Sequence, residues 1–205
     1  MKAQATTLRR HERSEVTREK LIRAAEKIFA RDGFEAAKLE EIASEAGYTR
    51  GAFYANFENK EDLFFTLVER QVSSRIAHVQ KLMQGAHDGR EKLSLFREFL
   101  LDVSQDRRWC LLALEFKLFA VRHPEVKARL AAMNRRLVGP RVAILREITE
   151  GRSGALPVSA TAIATSMSAV TNALGLEHML DRNALPEAAL KIILTNYFDS
   201  VIGTK

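Results

Sequence analysis

Apolar residues recur at helical spacing along nearly the whole of this 205-residue chain, and this pattern restricts its fold more than any other feature. They lie three and four positions apart, no segment alternates as a strand does, and the four prolines and most of the ten glycines fall between the periodic segments. With 46% apolar and 28% charged residues, the composition is that of a globular protein with a packed core. The sequence therefore predicts an all-α fold of one large domain or two small ones.

The positive charge of the chain does not by itself identify a nucleic-acid-binding half. The formal net charge is +6, yet residues 1–70 contain 13 basic and 13 acidic side chains, so the excess lies in residues 71–205. A basic arm remains at residues 1–16, and its cations are Lys2, Arg9, Arg10 and Arg13. A solvated chain terminus explains this arm as well as a DNA-contacting role does.

The sequence lacks the residues that several classes of protein require. The single cysteine, Cys110, excludes an internal disulfide framework and a CxxC metal or redox site. The five histidines form no HxxxH or HExxH pair, and neither a Walker loop nor a GxSxG elbow occurs. No apolar run is long enough for a bilayer span, and the first residues lack the apolar stretch of a signal peptide. We therefore expect a cytoplasmic protein with no catalytic residue, metal, cofactor or membrane partner, and the alternative of a helical small-molecule enzyme has no motif in its support.

Short helices separated by tight breaks characterise residues 17–60. The second helix is predicted at about residues 38–46, where Gly47 ends it, and a very short third helix at residues 50–56. The predicted N-caps of the first, third and fourth helices are Thr17, Thr49 and Asn59. Two short helices joined by a tight turn that contains glycine form a helix-turn-helix, whose second helix fits the major groove of DNA.

The stretch from Thr17 to Val68 carries a set of short motifs. They are, in order, Ala24-Ala25, Phe29, Gly33-Phe34, Ile42-Ala43, Ala46-Gly47, Gly51-Ala52-Phe53-Tyr54-Ala55-Asn56-Phe57 and Asn59-Lys60-Glu61-Asp62-Leu63. This combination resembles the DNA-binding domain of the TetR family of transcriptional regulators, and the rest of the chain has the family's usual length and helical character without a motif of its own. The resemblance implies a three-helix helix-turn-helix domain at residues 17–60, followed by a helical effector-binding and dimerisation domain at residues 61–205.

The resemblance also implies which residues touch DNA. The helix at residues 50–56 becomes the recognition helix, in which Arg50 reads guanine, whereas Ala52 and Phe53 offer apolar contact to thymine methyl groups. Gly51 lowers helix propensity by about 1 kcal/mol and is best explained if DNA passes close to the backbone. The side chains expected to hold phosphates are Lys38, Thr49, Tyr54, Asn56 and Lys60.

Two positions depart from the family pattern. The start of the second helix usually carries hydroxyl residues, where this chain has Ala37 and Lys38, so Lys38 substitutes a cation for a neutral phosphate donor. Asn56 stands where histidine is common, which changes the donor and not the expected role. For Thr49, a structural cap explains the residue type as well as a phosphate contact does.

The C-terminal region is expected to hold the effector, a small molecule of unknown identity. The residues expected to line its pocket are Phe96, Phe99, Trp109, Glu115, Phe116, Phe119, Asn172 and His178. Each of these aromatic residues also fits plain core packing. From Arg107 to Arg146 the chain has ten basic and two acidic residues, a surplus that suits either an anionic effector or a solvated helix face.

The last two helices are the predicted dimer interface. Small residues such as Ala160, Ala164 and Ser168 permit close helix approach, and the resemblance implies a homodimer because a two-fold pair reads the two halves of a palindrome. The implied function is a homodimeric repressor that a small-molecule effector releases from a palindromic operator in double-stranded DNA. A constitutive or architectural DNA-binding protein without effector is the alternative, which the neutral N-terminal domain disfavours.

Overall fold

The structure, a computed structural model, describes residues 2–150 and 156–203, with side chains from residue 14 onward. These residues form nine helices and no strand, which confirms the predicted all-α class. The helices are α1 (Lys2–Asp32), α2 (Leu39–Glu45), α3 (Arg50–Tyr54), α4 (Lys60–Gln84), α5 (Gly89–Gln105), α6 (Arg107–Arg122), α7 (Pro124–Thr149), α8 (Ala160–Leu180) and α9 (Glu187–Ile202).

Most helices begin where the sequence supplies a capping group. The Thr49 hydroxyl accepts from the Ala52 N–H at 3.3 Å, and Asn59 Oδ1 accepts from the Asp62 N–H at 2.7 Å, so both predicted caps are confirmed. Pro124 opens α7, because the first position of a helix needs no N–H donor.

One predicted helix start is wrong. Helix α1 starts at Lys2 and continues past Thr17, so Thr17 is not its N-cap. Helix α7 continues through Pro140. Residues 151–155, between α7 and α8, and the side chains of the basic arm before residue 14 lie outside the described residues.

The first compact unit is Met1–Arg70, which extends ten residues past residue 60, the end of the predicted DNA-binding domain, and includes the N-terminal arm. The first turns of α4 belong to it because Phe64 completes an aromatic cluster with Phe29 and Phe34, whose ring centroids lie 4.7 to 5.5 Å apart. These side chains are fully or almost fully buried. A core made from α1 and α4 thus supports the short helices α2 and α3.

The second compact unit, Gln71–Lys205, is organised around α8, which packs against α5, α6, α7 and α9. Small residues permit this close packing. A β-carbon at Gly175 would overlap the Ser104 carbonyl oxygen and lie 3.1 Å from Cys110 Sγ. The Cys110 thiol is fully buried, and burial raises its pKa to about 11, which is typical of an unreactive structural thiol. Among the residues described, no helix combines the length and apolar character needed to cross a membrane.

Candidate nucleic-acid interface and effector region

A tight glycine turn joins α2 to α3. Gly47 has φ +78°, a left-handed conformation that glycine adopts without steric cost. The N–H groups of Gly47 and Tyr48 donate to the carbonyl oxygens of Ser44 and Ala43 at 2.9 and 2.8 Å, which satisfies the last carbonyls of α2. This Schellman turn fixes the angle at which the chain leaves α2 and enters the short helix α3.

The inward side of α3 is held by Phe53. Phe53 has no exposed surface, and its ring packs 5.7 Å from that of Phe57. The prediction that Phe53 contacts thymine methyl groups is therefore wrong in this conformation, because its ring anchors α3 to the core. In a helix of five residues the apolar period is too short to distinguish an anchor from an outward-facing aromatic residue.

The outward side of α3 carries Arg50 and Tyr54. Arg50 Nη1 lies 2.6 Å from Glu40 Oε1 of α2, and Arg50 Nη2 donates to the Tyr54 hydroxyl oxygen at 3.3 Å. The hydrogen bond to Tyr54 and the nearby charge of Glu40 raise the pKa of Arg50 above its ordinary value. All three side chains are exposed, so the charged guanidinium can exchange these partners for a base edge or a phosphate.

Thr49, Gly51, Ala52 and Lys38 lie where a duplex can reach them. Thr49, Gly51 and Lys38 are exposed and Ala52 is half-buried. The Thr49 oxygen accepts the capping bond, and its hydroxyl hydrogen remains available to a phosphate. Lys38 precedes α2 without a side-chain capping bond, as the missing hydroxyl residue predicts.

Lys60 has a structural role that the sequence did not indicate. Its ammonium donates to the carbonyl oxygens of Glu35 at 2.9 Å and Ala37 at 3.1 Å, and it lies 4.8 Å from the centroid of the Phe34 ring. Burial lowers the pKa of Lys60, and the nearby Glu61 opposes this effect. The ammonium thus ties the loop before α2 to the start of α4 and has one further N–H for a phosphate.

Asn56 is held by α1 through two residues that sequence analysis missed. Ser14 donates to Asn56 Oδ1 at 3.1 Å, and Arg18 Nη1 donates to the Asn56 carbonyl oxygen at 2.6 Å. Asn56 Nδ2 donates back to the Ala52 carbonyl oxygen at 2.8 Å. Arg18 also lies 4.2 Å above the Phe57 ring. No short motif signals these contacts because the partners are about forty residues apart in sequence.

The predicted effector residues are distributed over several parts of the second unit. Phe96 and Phe99 of α5 lie together, with ring centroids 6.0 Å apart, but Phe96 is buried in the hydrophobic core against Phe198 of α9. Trp109 lies 4.8 Å beneath the Arg75 guanidinium, and Phe119 stacks 3.9 Å from the His123 ring.

The remaining predicted effector residues divide between α6 and α8. On α6, Glu115 is half-buried and Phe116 is buried. On α8, His178 Nδ1 lies 2.7 Å from the Leu185 carbonyl oxygen and so closes the turn to α9, and Asn172 is buried. No group of three His, Cys, Asp or Glu side chains suited to a metal ion occurs in the described part of the chain.

Comparison with known proteins assigns both units. The model for bacterial regulatory proteins of the tetR family matches residues 21–67, and the model for the C-terminal domain of BetI-type transcriptional repressors matches residues 89–203. The HTH-type transcriptional regulator AcrR of Shigella flexneri is 34% identical over 105 residues, which are 49% of this chain and 48% of AcrR. The chain thus spans about half the length of the curated relatives it matches.

Two solved structures share the fold over nearly the whole chain. The transcriptional regulator FadR from Bacillus subtilis, in complex with stearoyl-CoA, has a TM-score of 0.69 at 18% identity and covers 90% of this chain and 98% of its own. A putative transcriptional regulator from Saccharomonospora viridis, in complex with choline, has a TM-score of 0.68 at 19% identity and covers 89% and 95%. Because the C-terminal family model alone matches more than half of the chain and the tetR model matches the helix-turn-helix, the chain belongs to the TetR family of bacterial transcriptional regulators.

Proposed function

We propose that the protein is a homodimeric repressor in the cytoplasm that binds a palindromic operator and leaves it when a small molecule occupies the second unit. No catalytic step is part of this proposal. Family membership supports the regulatory role, and the two-fold dimer follows from the need to bring one helix-turn-helix to each half of the operator.

One observation carries the DNA-binding part of the proposal. Helix α3 is anchored from inside by the buried Phe53 and presents Arg50 and Tyr54 outward beside the Schellman turn. A short exposed helix held at a fixed angle is what the major groove requires. An architectural protein that binds without sequence preference has no need of it.

The contacts divide into base readout and phosphate binding. Arg50 is the proposed reader of guanine, with Ala52 beside it against a thymine methyl group. The proposed phosphate contacts are Lys38, Thr49, Tyr54, Asn56 and Lys60. Gly51 lets the sugar-phosphate backbone approach α3.

The effector part rests on the second unit. The two structures described above hold stearoyl-CoA and choline, so related folds accept small molecules of opposite charge. We propose that an effector of this chain lies among the helices around α8, near Asn172 and the aromatic residues of α6. Phe96 and His178 then support the effector site indirectly. Phe96 packs in the hydrophobic core, and His178 closes the turn to α9.

A binding experiment with the chain's own promoter tests the DNA part. Fluorescence anisotropy measures binding to a labelled promoter fragment with and without an excess of unrelated competitor DNA. Retained binding to one palindromic segment supports a sequence-specific regulator. If unrelated competitor DNA abolishes binding to the promoter fragment in proportion to the length of the competitor DNA, the protein binds without sequence preference and the architectural alternative is correct.

A further inference from the structure

Among the described residues, all but one of the half-buried Lys and Arg side chains of the second unit pair with a carboxylate. Three of them each contact a carboxylate at 2.5 to 2.7 Å, and these pairs are Arg75–Asp106, Lys92–Glu147 and Arg97–Asp199. Pairing of this kind compensates the loss of water around a charge. The exception is Arg141 of α7.

Arg141 is half-buried and has only neutral partners among the residues described. Its Nε donates to the Leu137 carbonyl oxygen at 3.1 Å, and its Nη1 reaches the Ser168 hydroxyl at 3.4 Å, the long limit of a hydrogen bond. Burial lowers the pKa of Arg141 because no carboxylate offsets it. A guanidinium in this situation has unused capacity for an anion.

Lys117 of α6 adds a second cation to the same place. Burial of its ammonium lowers its pKa, and the like charge of Arg141 lowers it further. The described part of the chain gives Lys117 no carboxylate partner. Lys117 as a whole residue is exposed, which leaves the pair of cations accessible from solvent.

The packing of α6 on α8 explains why these residues meet. Cys110 of α6 lies against Gly175 of α8. Lys117 follows Cys110 by seven residues and Ser168 precedes Gly175 by seven, which is about 10 Å along each helix. Arg141 reaches Ser168 and interacts electrostatically with Lys117. These contacts indicate that α6 and α8 run in opposite directions and that Lys117 lies level with Ser168.

Buried polar groups of α8 continue this surface. Thr171 lies one turn beyond Ser168 on the same side of α8, is 1% exposed, and its hydroxyl has no hydrogen-bond partner in the described structure. Asn172, the next residue, is 8% exposed. Unpaired buried donors are rare in folded proteins and commonly mark a site that a ligand or water completes.

We propose that Arg141 and Lys117, with the hydroxyl group of Thr171 of α8, bind the anionic group of the effector, a carboxylate or a phosphate. Ser168 orients Arg141, because its oxygen accepts from Arg141 Nη1 while its hydroxyl donates to the Ala164 carbonyl oxygen at 3.2 Å. The assignment of this anion as an effector rests on the proposed function, whereas the anion site itself does not. A carboxylate or phosphate can accept two hydrogen bonds from one guanidinium and a further hydrogen bond from a hydroxyl group. A cationic ligand such as choline would place a third positive charge beside the other two.

Ligand binding to the intact protein tests the class of ligand. The probes are decanoate for a carboxylate, inorganic phosphate for a phosphate, stearoyl-CoA for a phosphate-bearing amphiphile, and choline as the cation of opposite charge. Calorimetric titration and thermal unfolding are the measurements. We expect at least one of the three anions to bind and to raise the unfolding temperature, and choline to do neither. Binding of choline alone, or of no anion, overturns the proposal, and the anion that binds identifies carboxylate or phosphate.

Variants test the residues. Arg141→Met keeps the unbranched apolar part of the side chain and removes the guanidinium, and we expect it to weaken anion binding about tenfold or more. The ligand-free variant should be as stable as the wild type or more stable, because an uncompensated charge has been removed. Arg135→Met, which removes an exposed charge from the same helix, is the matched control and should change neither quantity. Loss of stability with unchanged anion affinity would assign Arg141 a structural role and overturn the proposal.

DNA binding separates this proposal from the proposed function. An anion that binds through Arg141 without changing operator affinity supports the anion site and contradicts its role as effector site. Specific operator binding with no anion binding supports the repressor and contradicts the anion site.

Discussion

At Gly51 we expect one substitution to change the stability of the protein and its affinity for DNA in opposite directions. A β-carbon at Gly51 would meet Thr49 Oγ1 at 3.7 Å, an ordinary van der Waals distance. Gly51→Ala should therefore raise the free energy of unfolding, by up to about 1 kcal/mol, because alanine favours the helix. The same methyl group lies on the exposed side of α3, so operator affinity should fall. Denaturant unfolding and anisotropy measure the two effects, and unchanged DNA affinity would show that the backbone of α3 does not approach the duplex.

Arg50 is expected to read sequence as well as bind DNA. Arg50→Ala should cost about 1 to 3 kcal/mol on the preferred operator and relax the preference at one base pair in each half-site. Anisotropy on a set of single-base operator variants measures this. Arg23→Ala removes an exposed cation of α1 and serves as the control. Equal weakening on every sequence would make Arg50 a phosphate contact.

Two lysines of the proposed interface differ in what they do for the fold. Lys60→Met should lower stability by about 1 to 3 kcal/mol, because the carbonyl oxygens of Glu35 and Ala37 lose their donor. It should also lower the slope of log affinity against log salt by about 1, the value for one released counterion. Lys38→Met should change that slope alone, since Lys38 is exposed and caps nothing. An unchanged slope would remove the lysine concerned from the interface.

At the scale of helices, α8 depends on the absence of a side chain at Gly175. Gly175→Ala would place a methyl group against the Ser104 carbonyl oxygen, which belongs to the backbone and cannot rotate away. The free energy of unfolding should fall by about 1 to 3 kcal/mol, or more where the helices cannot separate. Gly139→Ala is the matched control, because a β-carbon there meets nothing within 4 Å and favours the helix α7. Thermal unfolding of both variants measures the contrast, and equal stabilities would contradict the tight contact.

The helices were predictable wherever a local signal specifies them. Thr49 and Asn59 act through atoms of their own first turn, so both caps were predicted correctly. Thr17 was misassigned because a capping residue also fits inside a helix when the preceding residues continue it.

Long-range contacts account for what the sequence did not reveal at the candidate sites. Five residues of α3 are too few to indicate which aromatic side chain faces inward, so Phe53 was misassigned. The contacts of Lys60 with Glu35, and of Arg141 with Ser168, join residues more than twenty positions apart. Periodicity and composition carry no information about such pairs.

At the scale of the whole molecule, two exposed apolar surfaces are candidates for the interface of the proposed dimer. The first belongs to the last two helices and comprises Leu180, Ile192 and Ile193. The second lies on α6 and comprises Leu114, Leu118 and Val121. Exposed apolar clusters of this kind commonly mark interfaces. The small exposed residues Ala169 and Ala173 of α8 favour the first surface, because they allow a partner helix to approach closely.

A charge introduced into each surface decides between them. In a two-fold dimer Ile192→Glu enters the interface twice, and an uncompensated buried charge costs about 3 to 5 kcal/mol. The dissociation constant of the dimer should therefore rise by a factor of about 100 or more, measured by sedimentation velocity across a dilution series. Operator affinity should fall with it, because a monomer presents one α3 and binds one half-site. Leu118→Glu makes the same chemical change on α6 and should leave both quantities unchanged. If Leu118→Glu dissociates the dimer and Ile192→Glu leaves it intact, the interface lies on α6 instead. If the wild-type chain sediments as a monomer without DNA and yet binds a complete palindrome, the dimer does not form before the protein reaches DNA.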